Sequence, residues 1–306
     1  MISVNEINAM VMLLDDNDQE VVRHVEEKLL SLGEEAIPFL ESQWSDEFSM
    51  FHQEKLEQII HQIQFESVRQ QLAEWMASPQ QDLFEGWLIL TRYQYPSVDK
   101  EDLNQRLEKI KMDAWLELHN DLTALEKVRI LNHVFYEVNG FTGNTTDYHN
   151  PSNSYINTVL EQRRGNPISL AIVYSIVAQR LGIAIFGVNL PQHFILAYMY
   201  DKELRNTGIP EKNLIIRNNT LKKVMFYLNP FNQGLIFTKQ NVDEFIRQLK
   251  INPMDEFYLP CNNVEILKRV IRNLVSSYTR LEKQHKIVEL SQLMEVLGGR
   301  IEFEEE

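Results

Sequence analysis

The sequence predicts an α+β fold, mostly helical, with a small antiparallel sheet set between two helical regions. Three observations carry that expectation. Apolar residues recur at helical spacing through residues 4–138, as in Val21, Val22, Val25, Leu29, Leu30 and Leu32. The texture then changes to turn chemistry over Asn139-Gly140-Phe141-Thr142-Gly143-Asn144-Thr145-Thr146-Asp147-Tyr148-His149-Asn150-Pro151. After one further helix come short β-rich runs, and the chain ends in helical pattern again.

The N-terminal region reads as helices joined by short turns. Asp18 stands where an N-cap would, and Gly33 where a C-cap would. The run Glu34 to Leu40 starts another helix, with Pro38 tolerable only in its first turn. Leu13 to Arg23, followed by Leu29 to Leu40, resembles one HEAT-type helical hairpin with acidic residues at its turn. No second clean copy follows, so a helical cap is expected and not a solenoid. Helices are expected at about 47–77, 82–93, 99–119 and 123–138, with Pro79 and Pro96 at two of the joints.

The loop 139–151 leads to a short helix around 153–163 that ends at Gly165. Pro167 suits the first position of the next helix, which runs to about Leu181 and stops at Gly182. Strands are expected at Ile183–Leu190, His193–Tyr200, Leu214–Arg217, Val224–Leu228 and Leu235–Phe237, and a helix at Asn241–Leu249. Val264–Leu281 and Lys286–Leu297 form an antiparallel helical hairpin that resembles a single tetratricopeptide-like unit packed on the core. Glu302–Glu306 reads as an acidic frayed end. The expected division is a helical cap at 1–138, a core at 139–250 and a C-terminal hairpin at 251–306. No Gly/Ser- or Pro-rich linker separates them, so the flanks are expected to be integral.

Composition narrows the function classes. The chain has 306 residues, 30 Lys plus Arg against 44 Asp plus Glu, and a formal net charge of −14. Such a chain is a poor general ligand for nucleic acid or for an anionic membrane, and neither is expected as a partner. One cysteine, Cys261, cannot form an internal disulfide or a Cys-rich zinc module, and low cysteine usage fits a cytoplasmic setting. The N-terminus lacks the basic start and apolar stretch of a signal peptide, and no apolar run approaches the roughly 20 residues of a membrane span. The eight histidines show no His-Glu-x-x-His spacing. His24, His52, His61, His119, His133 and His285 are expected on helices in ordinary surface or packing roles. No phosphate loop and no Gly-x-Gly-x-x-Gly follows a strand. No metal and no cofactor is expected.

The informative block is 136–236. Its ordered motifs are Arg163-Arg164-Gly165-Asn166-Pro167-Ile168-Ser169-Leu170-Ala171, Gln179-Arg180-Leu181-Gly182-Ile183, Leu190-Pro191-Gln192-His193-Phe194 and Leu228-Asn229-Pro230-Phe231. Together they resemble the transglutaminase-like core, and within it the Sir B invasion-regulator-type branch, which carries helical flanks. The loop with Asn144, Asp147, Tyr148, Asn150, Asn153 and Ser154 resembles that branch too, as do Leu83-Phe84-Glu85-Gly86 and Tyr93-Gln94-Tyr95-Pro96.

The resemblance implies acyl transfer or peptide hydrolysis by a cysteine at a helix start, a histidine beginning a strand, and an Asp or Asn on the next strand. A helix N-terminus and a nearby imidazolium stabilise a thiolate, and the histidine then moves the proton to the leaving group. Here the spacing of Gly165, Ala171 and Gly182 puts Pro167 at the nucleophile position, and proline has no nucleophile. The histidine maps to His193 and the third member to Asn229, which orients an imidazole but supplies no charge. Gln192 stands where related sequences tend to have glycine. Ser169 is two residues past the lost position, about 200° around a helix, and is expected to bond to local backbone.

The remaining residues carry two readings each. Tyr148, Tyr155 and Phe141 line a peptide groove or pin the loop to the core. Arg163 and Arg164 clamp an anion or complement a helix dipole. Asp147 is expected to close the Asn144–Pro151 turn. His193 is a retained ligand-binding residue or a strand-end histidine. Asn166, Gln192, Tyr148 and Asn153 are the candidate binding residues, and His193, Asn229 and Ser169 the remnant catalytic set.

Three function classes follow. The first is a non-catalytic protein whose degenerate core binds a peptide or protein partner. The second is a hydrolase or acyl transferase using Ser169, His193 and Asn229. The third is a helical scaffold. Pro167 argues for the first or third over the second, and retention of His193 with a polar residue at 229 argues for the first over the third.

Overall fold

One long helix ties the N-terminal region to the rest of the molecule. The computed structural model describes residues 4–42, 50–200 and 224–301. Its helices begin with α1 (Val4–Met12), α2 (Gln19–Leu32), α3 (Ile37–Ser42) and α4 (Met50–Ala77). At 28 residues α4 spans about 42 Å at 1.5 Å per residue. Its apolar face changes along its length. Leu56, Ile59 and Ile63 pack with Val11, Leu29 and Leu40 in an N-terminal core. Phe65, Val68, Leu72 and Trp75 belong to the main core, which runs on to Leu297. Two residues turn about 200° around a helix, so the step from Ile63 to Phe65 moves the apolar stripe to the opposite side.

The caps follow the sequence. Asp18 accepts from Glu20 N at the start of α2, and Gly33 ends it at φ 66°. A 3-10 turn, Gly33–Ala36, precedes α3, which leaves Pro38 in the first helical turn. Then come α5 (Leu83–Arg92), α6 (Lys100–Trp115) and α7 (Ala124–Asn132), the last continued as a π-helical stretch, His133–Val138. The helix expected over 99–119 therefore stops at Trp115, and His119 lies in the connection after it, not on a helix.

The core elements are β1 (Thr142–Gly143), α8 (Ile156–Gln162), β2 (Arg164–Gly165), α9 (Pro167–Arg180), β3 (Ile185–Val188), β4 (Ile195–Met199), β5 (Val224–Asn229), β6 (Leu235–Phe237) and α10 (Lys239–Gln248). The expected strand at 214–217 lies outside the described residues. The helix expected to end at Gly165 ends at Gln162, with Arg163 left-handed at φ 54°. Gly165 instead pairs in parallel with Gly143. That two-residue pairing leaves no periodic signal in a sequence.

Strands β3 to β6 form one antiparallel sheet in chain order. Side chains alternate across it. Ile185, Phe194, Leu196, Tyr198, Phe226 and Leu228 face α9 in the main core. Val188, Ile195, Ala197, Met199 and Tyr227 face the other way, onto Val242 and Ile246 of α10. The fold is thus mostly helical with a small antiparallel sheet, an α+β architecture. Helices α11 (Asn263–Arg280) and α12 (Gln284–Val296) close the chain, and Leu267, Ile271, Leu274, Leu290 and Leu293 enter the same core as α5 and α9.

Candidate functional site

The start of α9 is fixed by its own polar residues. Asn166 is the N-cap and Pro167 follows at N1, where a missing N–H leaves no helical bond unmade. The Asn166 side chain accepts from Ser169 N at 2.9 Å, and the Ser169 hydroxyl accepts from Asn166 N at 3.0 Å. The same hydroxyl lies 3.2 Å from Asn166 O, to which it donates. Ser169 is fully buried. Its oxygen is therefore committed to local backbone, as the helix position predicts. A Cβ at Gly165 would collide with that hydroxyl, and one at Gly143 with the Phe231 ring, so both positions of the β1–β2 pair need glycine for close approach.

The loop 144–154 is held by asparagine side chains. Asn144 Nδ2 donates to Asn153 Oδ1 at 2.9 Å, and Asn153 Nδ2 donates to Asp147 O at 2.7 Å. Asn150 Nδ2 donates to the Asp147 carboxylate, which closes the turn. Asn166 Nδ2 donates to Ser154 Oγ at 2.9 Å, and Ser154 O accepts from the buried Trp87 indole. Asn153 and Asn166 are both buried. Phe141 stacks on Phe135 at 4.3 Å, and the Tyr155 hydroxyl meets that of Tyr278 at 3.1 Å, so both aromatics are core. Tyr148 is exposed and sits edge-on to Phe231 at 5.9 Å. Arg163 and Arg164 are exposed.

His193 lies in the turn before β4, its N–H donating to Leu190 O at 3.1 Å. Gln192 in the same turn has φ 61°, the left-handed region that favours glycine. The His193 ring lies against Phe245 of α10 at 4.8 Å. Phe194 takes the α9 side, so alternation puts His193 on the α10 side of the sheet. Burial, and then the charge of Arg269, holds its pKa below the usual histidine range.

Asn229 ends β5. Its side chain accepts from Phe231 N at 3.1 Å and Asn232 N at 3.3 Å, capping the turn Pro230–Asn232. Continuing the Leu196–Leu228 register puts Asn229 across from Ile195, not His193. Among the described residues, Ser169, His193 and Asn229 are not joined by a hydrogen bond. The geometry instead brings Asn144, Asn153, Ser154, Asn166 and Ser169 together beneath the start of α9, as a closed structural network.

Two residues escaped the sequence reading. Arg269 on α11 bears electrostatically on both His193 and Tyr148. It lines a cleft of about 630 Å³ with Asn189, Pro191, Phe257, Leu259, Pro260 and Cys261 among others. The Asn189 Oδ1 atom is buried with no hydrogen-bond partner. Neither residue belongs to a motif, and Arg269 reads in sequence as one basic position on an amphipathic helix.

The family profile described as the transglutaminase-like superfamily matches residues 101–272. A UPF0162 protein of Xylella fastidiosa is 30% identical over 207 residues, 64% of this chain and 64% of that protein. A UPF0162 protein of Vibrio cholerae is 25% identical over 155 residues, covering 51% of this chain and 50% of its own length. Mouse F-box only protein 21 is 30% identical over 146 residues, 48% of this chain and 21% of that one. The chain thus spans less than two thirds of each of these relatives. No solved structure matches. Among the described residues no helix is long and apolar enough to cross a membrane.

Proposed function

The chain belongs to the transglutaminase-like superfamily, and from that premise we propose that it is a catalytically degenerate core whose cleft binds a peptide or protein segment. The observation that supports the reading is Pro167 at the first position of α9, which motif spacing aligns with the cysteine of the resembled core. The neighbouring hydroxyl offers no replacement, because Ser169 is buried and bonded to Asn166. His193 and Asn229 are engaged with Phe245 and the Pro230 turn. This arrangement favours binding over the hydrolase reading.

The Sir B invasion-regulator-type branch, the three-part division at 138 and 250, the tetratricopeptide-like character of the hairpin and a cytoplasmic setting belong to the same proposal. They rest on motif order and composition.

The test is an assay of the purified chain for amidase, esterase and amine-transfer activity, alongside peptide binding. No turnover and saturable binding are expected. Hydrolysis that disappears in both Ser169→Ala and His193→Ala would overturn the reading.

A further inference from the structure

The cleft at Arg269 has the wrong electrostatics for an empty structural crevice. The protein carries 44 acidic residues against 30 basic ones, yet among the described residues this half-buried guanidinium has neither an ion pair nor a hydrogen bond. Glu265, which lines the same cleft, is taken by Lys268 at 2.8 Å. Burial and Arg272 hold the Arg269 pKa below its ordinary value. A cation kept half out of water without an anion is costly, and a ligand anion removes that cost.

Three further features define the anion. Asn189, at the lining, has a buried Oδ1 that lacks a donor, and an N–H brought by the ligand would satisfy it. Pro191, Phe257, Leu259 and Pro260 give the cleft an apolar wall. Glu256 and Glu265 at its lining disfavour a dianion or an acid-rich segment, and Arg269, with Arg272 also at the lining, presents a guanidinium fork that matches a carboxylate.

We propose that this cleft takes the C-terminal carboxylate of a peptide ending in an apolar residue. Arg269 receives the carboxylate, Asn189 accepts the terminal peptide N–H, and the apolar wall faces the last side chain. The inference deepens the binding function proposed above and rests on it.

The probe is a pair of fluorescein-labelled pentapeptide pools, four randomised positions ahead of leucine, one pool with a free carboxylate and the other amidated. Polarisation is read on the full chain. The free acid should bind, and amidation should weaken it by about tenfold or more. Arg269→Gln and Asn189→Asp should each bring the free acid down to the amide's level. On the unaltered protein N-acetyl-leucine should compete and N-acetyl-leucinamide should not, which keeps the test independent of how any variant folds. Equal binding of both pools, or binding of the free acid that survives Arg269→Gln, overturns this inference and leaves a peptide-binding core standing. Binding of neither pool overturns both.

Discussion

Asn166 and Ser169 close the start of α9 on each other: each side chain accepts a hydrogen bond from the other's backbone N–H, at 2.9 and 3.0 Å. Ser169 is thereby the N3 partner in the capping box of α9.

Ser169→Ala should cost about 1 kcal/mol of stability, the worth of a buried cap, and leave peptide binding unchanged. Gly165→Ala should destabilise more, because its Cβ meets the Ser169 hydroxyl. The double variant should be milder than the sum of the two, since removing the hydroxyl opens that space. Urea melts of the four proteins measure this, and strict additivity would contradict the contact.

Arg269→Gln should raise the His193 pKa toward its ordinary value, because the guanidinium charge disfavours a second cation. Burial remains, so the shift should be partial. In the natural protein the neutral ring is favoured by folding. That contribution is present above the ordinary histidine range and lost as pH falls through it, where the unfolded chain takes the proton first. Ring-proton NMR titration of the two proteins decides it, and identical curves would place Arg269 too far away.

The Glu289 carboxylate on α12 is gripped from two sides. His61 Nε2 of α4 lies 2.6 Å from one oxygen, and the Tyr93 hydroxyl just after α5 donates to the other at 2.6 Å. Burial alone would raise the Glu289 pKa, but hydrogen bonds from His61 and Tyr93, with the charges of His61 and Lys286, hold it below the usual carboxylate range. A depressed pKa contributes stability above the unfolded value that fades as pH drops below about 4. Glu289→Gln should lower the melting temperature at pH 6, and the gap between the two proteins should narrow toward pH 3. A gap independent of pH would show that the carboxylate charge is not what matters.

Cys261 should be nearly inert. Burial pushes its thiol pKa up to about 12, and Sγ donates to Gly187 O at 3.3 Å. At pH 8 such a thiol is almost wholly protonated. Iodoacetamide should label the native protein far more slowly than the urea-unfolded one. Rapid native labelling, with any loss of peptide binding that Cys261→Ala escapes, would contradict this.

Local rules made much of the chain legible before any coordinates. Asp18 and Gly33 bound α2, and Pro167 opens α9, because caps and proline positions depend only on a few neighbouring backbone groups. The β3 to β6 runs announce themselves by composition for the same reason: each strand's alternation is written in its own residues. The proposed mapping of Pro167 to the superfamily's nucleophile position likewise uses only the family resemblance and the spacing of Gly165, Ala171 and Gly182.

Tertiary structure decided what depends on partners distant in the chain. The Gly143–Gly165 pairing, the turn of the His193 ring toward Phe245, and the use of Asn229 as a cap to its own turn each depend on where the chain's other elements pack. Arg269 lies 76 positions after His193 (269 − 193), and only the packing of α11 beside the Leu190–His193 turn brings their charges within reach of one another. A sequence determines which residues are charged, capped or apolar. Whether a charge is left without a counter-ion in a cleft is set by long-range packing, because Coulomb energy follows distance in space and burial, not separation along the chain.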